Sequence, residues 1–248
     1  MPPGGARRYK PRMPFITEQP LSPREFLDEC LAFKRAHPVA SRFLSTFLEG
    51  NLSPTQLRLW AKDMYHYIQP AIPALACWLA LAPTIIERES ARLIGRNLAG
   101  EMGFLREADH RDLYLRFLAG LGIPEDEARD HLPLASTIGA ASVLGFFCRA
   151  SFEEGLGAFG LGVELQVPGR PNGAEVIVKA LRRYGIPQDA MEFYFIHIEA
   201  EEEHGGNAEE ALAPFARTRE QQALIRRAFQ WTVVATQGMQ RGFDAYLS

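Results

Sequence analysis

Residues 191–204 read MEFYFIHIEAEEEH, and three side chains in this stretch, His197, Glu201 and His204, organise the reading of the whole chain. Wound as a helix, steps of four and three residues at about 100° each bring them within roughly 40–60° of one another. Two imidazoles and a carboxylate then share one direction, beside Phe193, Ile196 and Ala200. A solvated helix face has no use for that mixture, whereas a metal ion inside a helical bundle has an immediate one. The plain alternative is an ordinary polar patch. Glu199, Glu202 and Glu203 point elsewhere and read as the solvated face of the same helix.

Working outward, every neighbouring segment also carries helical periodicity. Ser22-Pro23 with Glu25 predicts a capped helix to about Ala36, which His37-Pro38 ends. A short helix covers about Ala40–Glu49. Ser53-Pro54 opens a long one that Pro70 and Pro73 should kink before it resumes through Leu75–Leu81. Further helices are predicted at about Thr84–Gly103 and His110–Gly120, with a short turn at Glu125–Ala128. Ser136–Val167, rich in Leu, Phe, Ala and Gly, reads as one buried central helix whose glycines admit either a close neighbouring helix or a ligand. Gly173–Tyr184, Gln188–His204 running on toward Leu212, and Arg219–Leu247 complete the set. No strand is predicted. The expectation is an all-α bundle: a basic, flexible arm over residues 1–20 and a single helical domain over 21–248.

Composition narrows the function. A chain of 248 residues with 47% hydrophobic content can bury a sizeable core. Net charge −3 and a pI near 6.1 argue against a general nucleic-acid binder. The longest apolar run, Ala71–Pro83, contains two prolines and is shorter than the roughly 20 residues a membrane span needs. The arm MPPGGARRYKPRMP is not followed by an apolar segment of the kind a secretory signal requires, so a cytoplasmic protein acting on a small molecule is expected. Cys30, Cys77 and Cys148 lie far apart in apolar helical patterns and read as buried free thiols.

Of the six histidines, His37 and His131 read as helix-end and loop residues, and His66 as a hydrogen-bonded histidine at a pocket edge. His110, His197 and His204 remain. Among the acids, Glu164 is the only charged residue between Glu154 and Arg170, so burying it demands a cation or several hydrogen bonds; pairing with Arg170 is the structural alternative. Glu101 sits among small residues at a helix end, and Glu107 stands three before His110; either can contribute. A mixed nitrogen and oxygen set of this kind suits iron or manganese better than zinc or calcium.

With these residues in place, the chain resembles the haem-oxygenase-like di-iron oxidases and oxygenases over about residues 25–247, and among them the chlamydial para-aminobenzoate synthase group; the wider superfamily includes pyrroloquinoline-quinone synthase and thiaminase II. His197, Glu201 and His204 match the family's His-x3-Asp/Glu-x2-His, Glu164-Leu165-Gln166-Val167-Pro168 its second-helix motif, and Glu101 with His110 its first. The resemblance implies a haem-oxygenase-like bundle with six metal ligands, Glu101, His110, Glu164, His197, Glu201 and His204, holding two irons or an Fe/Mn pair. It also implies O2 as co-substrate, a small amine- or carboxylate-bearing substrate, and a homodimer. Two departures have structural consequences. The acid between the late histidines is Glu where Asp is usual. The nine-residue separation puts Glu101 and His110 on opposite sides of an unbroken helix, so Gly103 or a local unwinding must bring them together; otherwise Glu107 replaces Glu101. Lys179 is the counterpart of a functional lysine if 169–173 is an insertion. Tyr65, with Tyr67, Phe146, Phe147, Phe152 and Phe159, is a candidate to line a pocket beside the metals or to be plain core. The alternatives are a metal-free oxidase similar to pyrroloquinoline-quinone synthase, or a non-enzymatic interaction protein. A thiaminase-like hydrolase would need a cysteine where this chain has Ala158.

Overall fold

Serine followed by proline starts the first helices. Ser22 accepts the Glu25 N–H while the Glu25 carboxylate accepts the Ser22 N–H, and Pro23 opens α1 (Pro23–Ala36). Ser53, Pro54 and Gln56 repeat this reciprocal cap at α3 (Pro54–Ile68), and Ser41 caps α2 (Arg42–Glu49), which Gly50 closes at φ 79°. The computed structural model describes residues 19–82, 88–105, 108–165, 173–198 and 212–247. The remaining elements are α4 (Ala71–Ala80), α5 (Arg88–Glu101), α6 (His110–Gly120), α7 (Glu125–Asp130), α8 (Ala135–Ala150) and α9 (Phe152–Gly155), which continues as a π-helix over Leu156–Val163. Then come α10 (Gly173–Arg183), a 3₁₀ turn at Asp189–Met191, α11 (192–198), α12 (Arg219–Gly242) and a 3₁₀ turn at Phe243–Leu247. No strand occurs among the described residues, and none of their helices is long and apolar enough to cross a membrane.

Two predictions need correction. The helix expected to run unbroken over Ser136–Val167 is interrupted at Ser151, whose extended backbone (φ −153°, ψ 167°) ends α8 and whose hydroxyl accepts the Glu154 N–H at 3.1 Å to start α9. Ser-x-x-Glu was an N-cap signal hidden inside an apolar run. Second, the helix after the two prolines restarts at Ala71 rather than near Leu75, because Pro70 falls at its N-cap and Pro73 in its first turn, where no intrahelical N–H is needed.

The glycine-rich run answers its own question. A Cβ on Gly157 would strike the Ile225 carbonyl, one on Gly162 the Thr232 side chain, and one on Gly155 the Trp78 indole. The close neighbours are α12 and α4, so the glycines serve helix packing. One apolar core joins α1, α4, α8, α9 and α12 around Phe26, Leu75, Phe147 and Phe229; a second joins α2, α3, α6, α10 and α11 around Phe43, Tyr114, Phe117 and Leu181. In the second core α11 lies against α6 through rings, Tyr114 to Phe193 at 5.1 Å and Phe117 to Tyr194 at 5.2 Å between centroids. That packing fixes where residue 197, one turn beyond Phe193, must point.

Candidate metal centre

Glu101 is the last residue of α5 and His110 the first of α6. Between them the chain reverses. Phe104 N–H donates to the Ala99 carbonyl and Gly103 N–H to that of Gly100, both at 2.8 Å, with Gly103 at φ 71°. This Schellman arrangement needs a left-handed residue. Gly103 also lies so close to the Ala108–Asp109 backbone that a Cβ there would collide with it. Asp109 then caps α6 by accepting the Arg111 N–H at 2.8 Å. The reversal carries His110 Nδ1 to 2.9 Å from Glu101 Oε2, where an unbroken helix would have held them on opposite faces.

His197 enters from α11. Its ring centroid lies 5.0 Å from that of His110 and 4.4 Å from that of Phe193. Its Nδ1 sits 2.6 Å from the Phe193 carbonyl oxygen, and since a carbonyl only accepts, Nδ1 carries the hydrogen and Nε2 presents its lone pair. Burial pushes the His197 pKa below its ordinary value, with His110 acting in the same direction, while Glu101, the Phe193 carbonyl and Glu164 oppose the shift. Burial thus favours the neutral imidazole, the form in which histidine binds a metal. One ligand atom from each of Glu101, His110 and His197 falls within 4.8 Å of the other two. Two imidazoles and one carboxylate, largely buried, form a donor set that suits non-haem iron and leaves positions open for other ligands.

Glu164 stands at the end of the π-helix, its N–H donating to the Phe159 carbonyl at 3.0 Å. It lies outside the group of three, but its charge acts on His197 and on the buried Tyr67 hydroxyl, whose pKa is raised first by burial and further by Glu164, against a hydrogen bond with Thr236. Glu107, Glu201, His204 and the second-helix residues Gln166–Pro168 lie outside the described residues. Tyr65 is buried beneath Arg111, with which it shares a hydrogen bond. Lys179 is exposed, between buried Val178 and Ala180 on α10. Of the aromatic residues proposed as pocket lining, Phe147, Phe152 and Phe159 belong to the core, whereas Phe146 is 63% exposed on an outer groove of about 490 Å³. His66 lines that groove and contacts the Ala128 carbonyl through Nε2 at 3.0 Å, a hydrogen-bonded histidine at a pocket edge as expected. Cys30 and Cys148 are buried free thiols whose pKa burial pushes up to about 12, which makes a nucleophilic role unsuitable for either.

Two residues beside the cluster escaped the sequence reading. Gln69 and Arg111, with Ile68 and Ile72, enclose a cavity of about 20 Å³ against Glu101 and His110. Their only sequence signals were that Gln69 precedes a helix-breaking proline and Arg111 follows His110.

The comparisons with known proteins bear on this geometry. A 4-aminobenzoate synthase of Chlamydia pneumoniae is 27% identical over 199 residues, covering 77% of this chain and 82% of that protein. Among solved structures, a CADD-like protein of unknown function from Nostoc punctiforme superposes with a TM-score of 0.73 at 17% identity, over 90% of this chain and 97% of that one. A TenA homologue from Pseudomonas syringae pv. tomato gives 0.69 at 13% identity, over 91% and 93%. A domain from Shewanella denitrificans described as having a heme oxygenase-like fold gives 0.66 at 16% identity, over 91% and 88%. At such identities the solved structures establish the fold, a haem-oxygenase-like all-α bundle. The sequence pattern of one family, described as "Iron-containing redox enzyme", spans residues 58–237, which include Glu101, His110, Glu164 and His197. The chain belongs to the family of iron-containing redox enzymes.

Proposed function

We propose that the protein is an O2-dependent di-iron oxidase or oxygenase that oxidises a small amine- or carboxylate-bearing substrate in cofactor or natural-product biosynthesis, as a homodimer in the cytoplasm. The observation that carries this reading is the convergence of Glu101, His110 and His197 from three separate helices. A carboxylate, the inward lone pair of His197 and a second imidazole brought together in a largely buried place suit a cation that balances them. Glu164, with Glu201 and His204 from the sequence pattern, makes up the six ligands of the two-metal reading. The 4-aminobenzoate synthase relative supports a substrate or product that carries an amine and a carboxylate.

Iron, when bound, supplies the one-electron chemistry that O2 requires. The chain's own residues do the rest. His197 is held in one tautomer by the Phe193 carbonyl, so that Nε2 faces the centre. Glu101 neutralises charge and stands against His110. Phe193 packs over both imidazoles, and Ile68 and Ile72 wall the adjoining cavity, which keeps bulk water from the site.

The test is to reconstitute the full chain anaerobically with Fe(II) and count metal. Two irons per chain are expected, with fewer after His197→Ala or Glu164→Ala. A wild-type protein that takes up neither iron nor manganese overturns the reading and favours a metal-free oxidase.

A further inference from the structure

The cavity beside the cluster has two kinds of wall. Ile68 and Ile72 are apolar; Gln69, Glu101, His110 and Arg111 are polar. Its volume, about 20 Å³, admits a body the size of a water molecule or one end of a small linear ligand, and excludes an aromatic ring. Arg111, 51% exposed and bonded to Glu125 at 3.0 Å, contributes to its wall.

Gln69 gives the cavity its direction. The residue terminates α3, its N–H donating to the Tyr65 carbonyl at 3.0 Å, and Pro70 follows at once. The helix break fixes the backbone from which its side chain departs. Its Nε2 is buried and has no hydrogen-bond partner among the described residues. A buried amide donor without an acceptor is destabilising, so a residue of this kind is retained where something it can donate to is bound. Under the metal reading, Glu101 and His110 turn their lone pairs to iron, and the Gln69 amide is left as a neutral donor facing the space next to them.

We infer that Gln69 is a ligand-binding residue whose Nε2 donates a hydrogen bond to a small acceptor ligand, of the size of dioxygen or azide, held in the cavity beside Glu101 and His110. The larger organic substrate must then reach the centre from another side. The inference rests on the metal reading above, and its test separates the two.

Azide, a linear acceptor anion, is titrated into iron(III)-loaded full-length protein and followed by its charge-transfer absorption, with iron counted in the same samples. Gln69→Leu removes the donor, and Gln69→Glu keeps the shape but turns the donor into an acceptor of like charge. Both variants are expected to retain the wild-type iron count while binding azide about 10-fold more weakly or worse. Azide affinity within twofold of wild type in either folded, iron-loaded variant overturns the inference, as does a wild-type protein that holds two irons and binds no azide; both outcomes leave the metal reading standing. If Gln69 only holds a structural water, Gln69→Leu lowers the melting temperature and leaves azide affinity unchanged, which also overturns it. A wild-type chain that binds no metal removes the metal reading and this inference with it.

Discussion

Two acid and histidine clusters among the described residues are built to opposite rules. Around Asp63, which is fully buried on α3, everything donates: Leu134 N–H at 3.0 Å, the Tyr246 hydroxyl, and His131 Nε2 at 3.3 Å. The carboxylate is met by hydrogens from the loop before α8 and from the C-terminal turn, so the cluster is closed. Around Glu101 the neighbours are His110 and His197, and the tautomer of His197 turns a lone pair inward. At Asp63 three donors meet one anion; at Glu101 the His110 Nδ1 stands 2.9 Å from a carboxylate oxygen while the His197 Nε2 lone pair is left facing the centre, where a cation fits. Residue types alone do not distinguish the two clusters. The direction of the hydrogen bonds does.

The comparison predicts that damage to the closed cluster is read in stability and damage to the open one in metal. Asp63→Ala strips the anion from three part-buried donors and is expected to cost about 3 kcal/mol in denaturant unfolding, the lower end for breaking a buried pair from one side. The protein that remains folded should carry its normal complement of iron. A loss of iron out of proportion to unfolding would join the two clusters into one functional unit and remove the contrast. His197→Ala should do the reverse. With free iron a hundredfold above its Kd, each iron bound adds about 2.7 kcal/mol to the wild-type protein. The total, measured as the difference between iron-loaded and metal-free unfolding, should fall by at least one such increment in His197→Ala.

Gly103 tests the joint that makes the open cluster. Its φ of 71° costs a non-glycine residue about 1–2 kcal/mol, and a Cβ would also press on the Asp109 backbone. Gly103→Ala removes no ligand, yet it should shift His110 against Glu101 and weaken iron binding about 10-fold or more, as loss of support behind a ligand does. Iron affinity equal to wild type in a folded Gly103→Ala protein would mean that the α5–α6 reversal does not set the site.

That joint was legible once the resemblance paired Glu101 with His110, because nine residues of unbroken helix hold them on opposite sides and Gly103 permits a break. The serine and proline caps were legible for the same reason: each is a local rule acting over three or four residues. The break at Ser151 obeys a local rule too, but the apolar run around it carried the stronger periodic signal. The Asp63 cluster obeys no local rule. Its donors lie 68, 71 and 183 residues away along the chain, and no spacing announces them. Gln69 was invisible on the same ground, since its significance depends on a cavity formed by the ends of α3, α5 and α6. The stretch that first suggested a metal site is divided: His197 takes its place beside His110, while Glu201 and His204 lie outside the described residues.

The smallest expected effect is the one that separates the clusters most finely. Glu101→Gln keeps the side chain's length and leaves one amide oxygen facing His110 Nδ1, which now lies 2.9 Å from Glu101 Oε2. It also removes a charge that the metal-free protein must keep largely buried beside His110. Loss of the charged contact and relief of desolvation act in opposite directions, so metal-free stability should change by less than about 1 kcal/mol. Asp63→Asn has no such relief. Its single acceptor oxygen cannot serve three donors, and its NH2 adds a fourth, so the swap leaves buried donors facing one another at about 1–3 kcal/mol. Denaturant curves of the two metal-free variants decide the matter: equal losses would mean that Glu101 is as fully satisfied without metal as Asp63 is, and the case for a cation at the open cluster would fail.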